Sequence, residues 1–255
     1  GAQSIVAAEL VAKAAPDGYT LLIAPSGPMS INPAVFSKLP YDPVKDFAPI
    51  SLLAEFPLLL VVGADQPVKT VKELVEYGKA KPGLANYASS ATPLQLAAEL
   101  FNQRTGSAFQ HIPYRGTGPV LQDLVAGQID YTVDQSLNVI PQIKAGTIKV
   151  YAIAAPDRLA SLPDVPTTKE LGEDFIFSAW NAMVAPKDTP KEIVDKLVGA
   201  LSKALDDPAI KARYVELGSS APQGVDRGPG GLQKLVESEV ARITPVIKAA
   251  GVTGQ

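Results

Sequence analysis

Short apolar runs alternate with stretches of helical period along almost the whole chain. The strand-length runs are Tyr19–Ala24, Leu58–Val62, Asn86–Ala88, Phe109–Tyr114, Ile129–Val133, Val150–Ala154 and Ala182–Ala185. Between them, apolar positions recur every three or four residues in Val71–Ala80, Leu94–Arg104, Val120–Ala126, Ile193–Leu205 and Gly231–Ala250. Strands that are short and continuously apolar are buried on both faces. The alternation therefore predicts an α/β fold of parallel-rich sheets flanked by helices. An Ala-rich amphipathic helix, Ala7–Ala14, stands before the first strand, where a βαβ unit would open with a strand.

Helix boundaries are written into the polar positions. Thr70 with Glu73, Thr92 with Gln95, Thr167 with Glu170 and Thr189 with Glu192 each fit the capping box, in which hydroxyl and carboxyl satisfy each other's backbone N–H groups. Pro93 and Pro190 follow two of these caps at a position that needs no N–H, and Asp207-Pro208 repeats the device. Gly127, Gly146 and Gly218 mark helix stops. Gly224–Gly231 reads as a loop ahead of the last helix. Its Gly228-Pro229-Gly230-Gly231 reads as a turn, lacking the strand and Lys-Ser/Thr of a phosphate loop.

Composition narrows the function classes. The chain has 255 residues, 46% of them hydrophobic, enough for a packed core in one large or two smaller domains. With 23 Lys+Arg against 26 Asp+Glu there is no basic surplus, which argues against a nucleic-acid partner. No cysteine and one histidine exclude thiol chemistry, disulfides and zinc fingers, and an oxidising compartment would tolerate such a chain. The longest apolar run, Phe56–Val62, is far short of the roughly 20 residues that span a bilayer. The start has no charged-then-apolar leader, so the chain reads as soluble, with prior processing one explanation.

In open parallel sheets a ligand sits beyond the carboxyl ends of the strands. That rule selects Pro25–Ser30, Ser89–Thr92, Arg115–Gly118 and Asp134–Ser136, segments rich in small hydroxyl residues and glycine with one acid and one base. Such a set suits capture of a small anion by neutral donors and helix dipoles. Each member also has a structural reading. Thr92 and Asp134 are also helix caps, and Arg115 a surface ion-pair partner. His111 is a hydrogen-bonded structural histidine, and Trp180 is core or pocket wall.

Several longer motifs carry a family resemblance. Ala15–Leu22, Leu39–Ile50, His111–Gly116 running on to Gly127-Gln128-Ile129-Asp130, Leu162–Thr167, and Ala185-Pro186 with Thr189–Glu192 occur in one order along the chain. Together they resemble the substrate-binding proteins of tripartite tricarboxylate transporters, also called the Bordetella uptake gene family. The resemblance implies a periplasmic, two-lobed α/β binding protein with a cleft between the lobes. It also implies a small carboxylate ligand passed unchanged to membrane permease subunits. It places lobe 1 in residues 1–62 and 179–255 and lobe 2 in 63–178. The implied ligand contacts are Ser26, Gly27 and Ser30 on one lobe, Ser89, Ser90, Thr92 and Asp134 on the other, and Trp180 near the crossing.

Three departures stand out. The loop after Asn86-Tyr87-Ala88 is shortened, with Gln95 where the family has a histidine, and Ala182-Met183 replaces a Gly-Leu pair. Gly1–Ser4 matches a point after the family's opening strand and Pro- and Gly-rich loop, so an open strand position is expected beside Tyr19–Ala24. Two alternatives stay open. One is an α/β enzyme acting on a small organic acid, with Asp134 as base and Arg115 as anchor. The other is a subunit that presents its ligand to a sensor kinase. No nucleophile motif, cofactor fingerprint or metal-ligand cluster supports the enzyme.

Overall fold

The structure, a computed structural model, describes residues 4–172, 177–224 and 227–250. Val225 and Asp226 of the expected loop Gly224–Gly231, and Gly1–Gln3 of the opening segment, lie outside the described residues. The chain divides into two compact units. Unit 1 comprises Gly1–Glu55, Trp180–Tyr214 and Ser220–Gln255; unit 2 comprises Phe56–Ala179 and Val215–Ser219. Among the described residues, no helix is long and apolar enough to cross a membrane.

Unit 1 is built on strand β1 (Leu22–Pro25), the first half of β2 (Phe47–Gly63) and most of β7 (Ser178–Pro186). β1 runs antiparallel to β7, with Leu22 opposite Val184 and Ala24 opposite Ala182, and among the described residues no second strand pairs with it. Its helices are α1 (Ile5–Ala12), α2 (Asn32–Val35), α7 (Lys191–Asp206), α8 (Pro208–Glu216) and α9 (Pro229–Ala250). Ala8, Val11, Met29, Phe47, Trp180, Leu232 and Val236 meet in one core.

Unit 2 holds the second half of β2, then β3 (Asn86–Ser89), β4 (Gln110–Pro113), β5 (Tyr131–Gln135) and β6 (Ile148–Ile153). β3 is parallel to both β4 and β5, whereas β2 is antiparallel to both β5 and β6. The order is therefore β6-β2-β5-β3-β4, and β2 alone runs against the rest. Helices α3 (Val71–Ala80), α4 (Thr92–Thr105), α5 (Thr117–Val125) and α6 (Ser136–Lys144) cover the sheet. Leu59, Val61, Ala88, Val120, Leu124, Val139 and Ile153 form the core on one of its faces.

The expected parallel-rich sheet is found in unit 2, where four of the five strands run in one direction, and is corrected for unit 1. Unit 1 is antiparallel at β1–β7, and unit 2 carries one reversed strand. Burial on both faces produces the continuous apolar run of Leu58–Val62, and that pattern is blind to strand direction. The units change over at Glu55/Phe56 and Ala179/Trp180, against the expected 62/63 and 178/179. β2 is one continuous strand across its changeover, so no break in sequence marks the point.

Of the four capping boxes one closes in full, at Thr167 and Glu170, and one by half, since the Glu73 carboxylate takes the N–H of Lys69 and not that of Thr70. The Thr70 hydroxyl accepts from the N–H of Glu73, and Thr167 and Glu170 satisfy each other's backbone N–H groups. At α4 the N-cap is Ala91, whose carbonyl accepts from Leu94 and Gln95, so Thr92 is the first helical residue and not the cap. At α7 the N-cap is Pro190, and Thr189 donates to the carbonyl of Pro186. In both cases the extended N-cap residue stands one position from the threonine, Ala91 before it at α4 and Pro190 after it at α7. Of the expected turn Gly228–Gly231, all but Gly228 belongs to the first turn of α9.

Gly78 shows how closely α3 packs. A Cβ at Gly78 would lie 2.2 Å from the ring of Phe109. Gly78→Ala should lose about 1–3 kcal/mol of stability in urea unfolding, because the buried ring has to move out of its rotamer. A neutral result would mean that Phe109 repacks freely.

Candidate functional site

The carboxyl ends of the parallel strands β3, β4 and β5 lie in unit 2, and hydroxyl residues gather there. β3 ends at Ser89 and passes through Ser90 and Ala91 into α4. Tyr114, just after β4, donates its N–H to the carbonyl of Ser89, which ties the two strand ends together. The chain then turns through Arg115 and Gly116 into α5 at Thr117. A Cβ added at Gly116 or Gly118 would meet nothing within 4 Å, so the backbone entering α5 borders open space. Arg115 is exposed.

Asp134 anchors this cluster from β5. It is 0% exposed. Its Oδ1 accepts from the N–H of Gln135 at 2.7 Å and from Asn138 Nδ2 at 2.8 Å; its Oδ2 accepts from the Thr117 hydroxyl at 3.2 Å. Burial raises its pKa above the ordinary carboxylate value, while the bonds from Asn138, Gln135 and Thr117 act the other way.

The geometry also fixes which way the hydroxyl protons point. Ser90 Oγ lies 3.1 Å from Thr117 Oγ1. Thr117 has one hydroxyl proton, and it is donated to Asp134 Oδ2. Ser90 is therefore the donor to Thr117. The relay runs Ser90 to Thr117 to Asp134, and Ser90 turns lone pairs outward. Ser136, two residues after Asp134, is fully buried, with a hydroxyl that has no partner among the described residues.

Ser89 belongs to a different network. Its Oγ lies 2.7 Å from His111 Nε2, and the imidazole stacks on Tyr87 with centroids 5.0 Å apart. Tyr87 in turn donates to Glu99 on α4. Burial lowers the pKa of His111, with the charge of Glu99 acting in the opposite sense. A base with a lowered folded pKa binds fewer protons folded than unfolded, so this contribution is present above about pH 6.5 and lost as pH falls. Urea midpoints at pH 8 and pH 5 should therefore diverge less in His111→Gln, which cannot titrate, than in the parent chain. An identical divergence would remove His111 from the acid sensitivity.

In unit 1 the expected loop Pro25–Ser30 is a π-helical turn, Gly27–Ile31, running into α2. Buried Met29 and Ile31 hold it down, and Tyr41 donates to the carbonyl of Pro28. Ser26 is buried and Gly27 half-buried. Ser30 is fully buried and donates to the carbonyl of Ser26, so its hydroxyl serves the chain's own backbone. Trp180 lies in the unit 1 core, its indole N–H buried without a partner among the described residues.

Of the residues singled out from sequence, Ser90 and Asp134 are brought into one network, and Ser89 stands beside it on His111. Ser26, Gly27, Ser30 and Trp180 belong to the other unit. Thr117, inside the selected segment Arg115–Gly118 but not among the expected contacts, and Asn138, outside every selected segment, complete the Asp134 network. The available signals were a hydroxyl set between Gly116 and Gly118 at a helix start, and an amide one helical turn beyond an acid.

Solved structures that resemble the chain over nearly its whole length are periplasmic binding proteins. The periplasmic binding protein BugD superposes with a TM-score of 0.90 at 35% identity, over all of this chain and 86% of its own. The chain belongs to the family described as the tripartite tricarboxylate transporter family receptor, which matches residues 1–252. It is 38% identical to a UPF0065 protein of Agrobacterium vitis, over 98% of this chain and 73% of that one. It is 32% identical to BugT of Bordetella pertussis, over 98% and 77%. MatC from Rhodopseudomonas palustris, solved with bound malate, is 39% identical with a TM-score of 0.88 over 97% of this chain and 85% of its own. A second R. palustris protein, solved with adipate, is 33% identical with a TM-score of 0.92 over 99% and 85%.

Proposed function

We propose that the chain is a periplasmic receptor that captures a small carboxylate and passes it, chemically unchanged, to the permease subunits of a tripartite transporter. The observation that carries this is the joining of two helix starts across the ends of β3 and β4. Ser90, ahead of α4, touches Thr117, the first residue of α5, at 3.1 Å. A carboxylate there meets the positive ends of two helix dipoles, the amides that open α5, and the hydroxyl of Thr92 in the first turn of α4. Family membership and the malate and adipate bound to two relatives support the same ligand class. Asp134 orients this site and performs no chemistry on the ligand.

The test is a thermal-shift screen against mono-, di- and tricarboxylates, with neutral amides as controls. Binding to the native state alone adds RT ln(1 + [L]/Kd) to the unfolding free energy and so raises the melting temperature. At least one carboxylate should stabilise the chain where its amide does not, and Thr92→Val should weaken that effect. A screen in which no carboxylate moves the transition would sink the proposal.

A further inference from the structure

We infer that the carboxylate taken by this site carries its own hydrogen-bond donor, a hydroxyl or an ammonium, and that the Asp134–Thr117–Ser90 relay selects for it. This deepens the proposed function and rests on it. The relay is oriented by the buried carboxylate at its inner end. Asp134 accepts from Thr117, so Thr117 accepts from Ser90, and Ser90 is left with lone pairs to offer outward. Ser90 is half-buried, whereas Asp134 is sealed from solvent, so the outer end of the relay is where a ligand is met. A second bare carboxylate oxygen placed there would face an acceptor. A hydroxyl or ammonium would complete the chain of donors.

Asp134→Asn reverses the relay by geometry. Two donors, the Gln135 N–H and Asn138 Nδ2, converge on Oδ1. The amide oxygen takes that position and the amide nitrogen faces Thr117. Thr117 then accepts from residue 134 and turns its proton to Ser90, and Ser90 turns its proton outward.

The experiment is calorimetry with matched pairs that differ by one hydroxyl: lactate and propionate, malate and succinate, citrate and tricarballylate. Aspartate is added as the ammonium counterpart of malate. In the parent chain the donor-bearing member of the bound pair should be favoured by about tenfold or more, as expected when a site's acceptor would otherwise go unpaired. Asp134→Asn should shrink or invert that ratio, and Ser90→Ala should bring it close to one while carboxylates still bind. Circular dichroism on both variants checks folding, and Ser90→Ala serves alone if Asp134→Asn does not fold. Equal affinity within the bound pair, or a preference that survives in Ser90→Ala, would overturn the inference and leave carboxylate capture standing. Failure of every acid to bind would remove both.

Discussion

Tyr131→Ala should lower the stability of the chain by about 4 kcal/mol, within the range for emptying a buried aromatic site. Tyr131 is 0% exposed and stands on β5 in the middle of an aromatic cluster. Its ring meets Phe109 edge-on at 4.8 Å and Phe101 at 5.7 Å, and stacks on Tyr87 at 5.5 Å. Its hydroxyl donates to Asn102 Oδ1, which also accepts from Ser107. Tyr131→Phe should therefore lose only about 1 kcal/mol, since Asn102 keeps one donor and the ring stays in place. Because Tyr87 carries the stack onto His111, the alanine variant should also disturb the His111 ring signals, unambiguous in a chain with a single histidine. Urea unfolding and proton NMR read both effects. A loss below about 1 kcal/mol in the alanine variant would mean that the cluster closes over the gap.

The second large effect is expected at Asp134. Asp134→Ala leaves the Gln135 N–H, the Asn138 amide and the Thr117 hydroxyl without their acceptor in a buried place. The expected loss is about 3 kcal/mol, reduced from the sum of the parts because a buried carboxyl group, costly to desolvate, goes as well. Asp134→Asn keeps the shape and the acceptor at Oδ1, and should stay within about 1 kcal/mol of the parent near neutral pH. Its pH dependence carries a sign. The pKa of Asp134 is raised in the folded chain by burial, so the folded state holds the proton longer than the unfolded one. Stability from this group is therefore present at low pH and lost as pH rises through the folded value. The parent should weaken relative to Asp134→Asn as pH rises from the ordinary carboxylate value. The opposite trend would mean that the hydrogen bonds outweigh burial.

Comparing the pattern with the fold shows where sequence is sufficient. The helical pattern Val71–Ala80 has the bounds of α3, because Thr70 and Glu73 mark its start locally. The Ala91/Thr92 start of α4 was missed by one residue, since a hydroxyl before proline looks the same whether it caps a helix or opens it. Phe47–Phe56, the first half of β2, carries no clear strand signal because Pro49 and Pro57 punctuate it like a loop. Pairing in the sheet overrides that local signal. Pro25–Ser30 looked like a glycine-containing loop, and burial of Met29 and Ile31 winds it into a π-helical turn.

The amino-acid sequence by itself determined the α/β class, most of the helices and strands, the family, and the strand ends at which small hydroxyl residues gather. Those properties follow from periodicity, caps and turn residues, which act within a few positions of one another. Tertiary structure alone decided the reversed direction of β2, the changeover of units inside it, and the meeting of Ser90, Thr117 and Asp134 across residues 90–134. The reason is physical. Strand direction and the orientation of a hydroxyl proton depend on which groups are opposed in space, and a buried carboxylate imposes that orientation only after the strands that carry its partners have packed side by side.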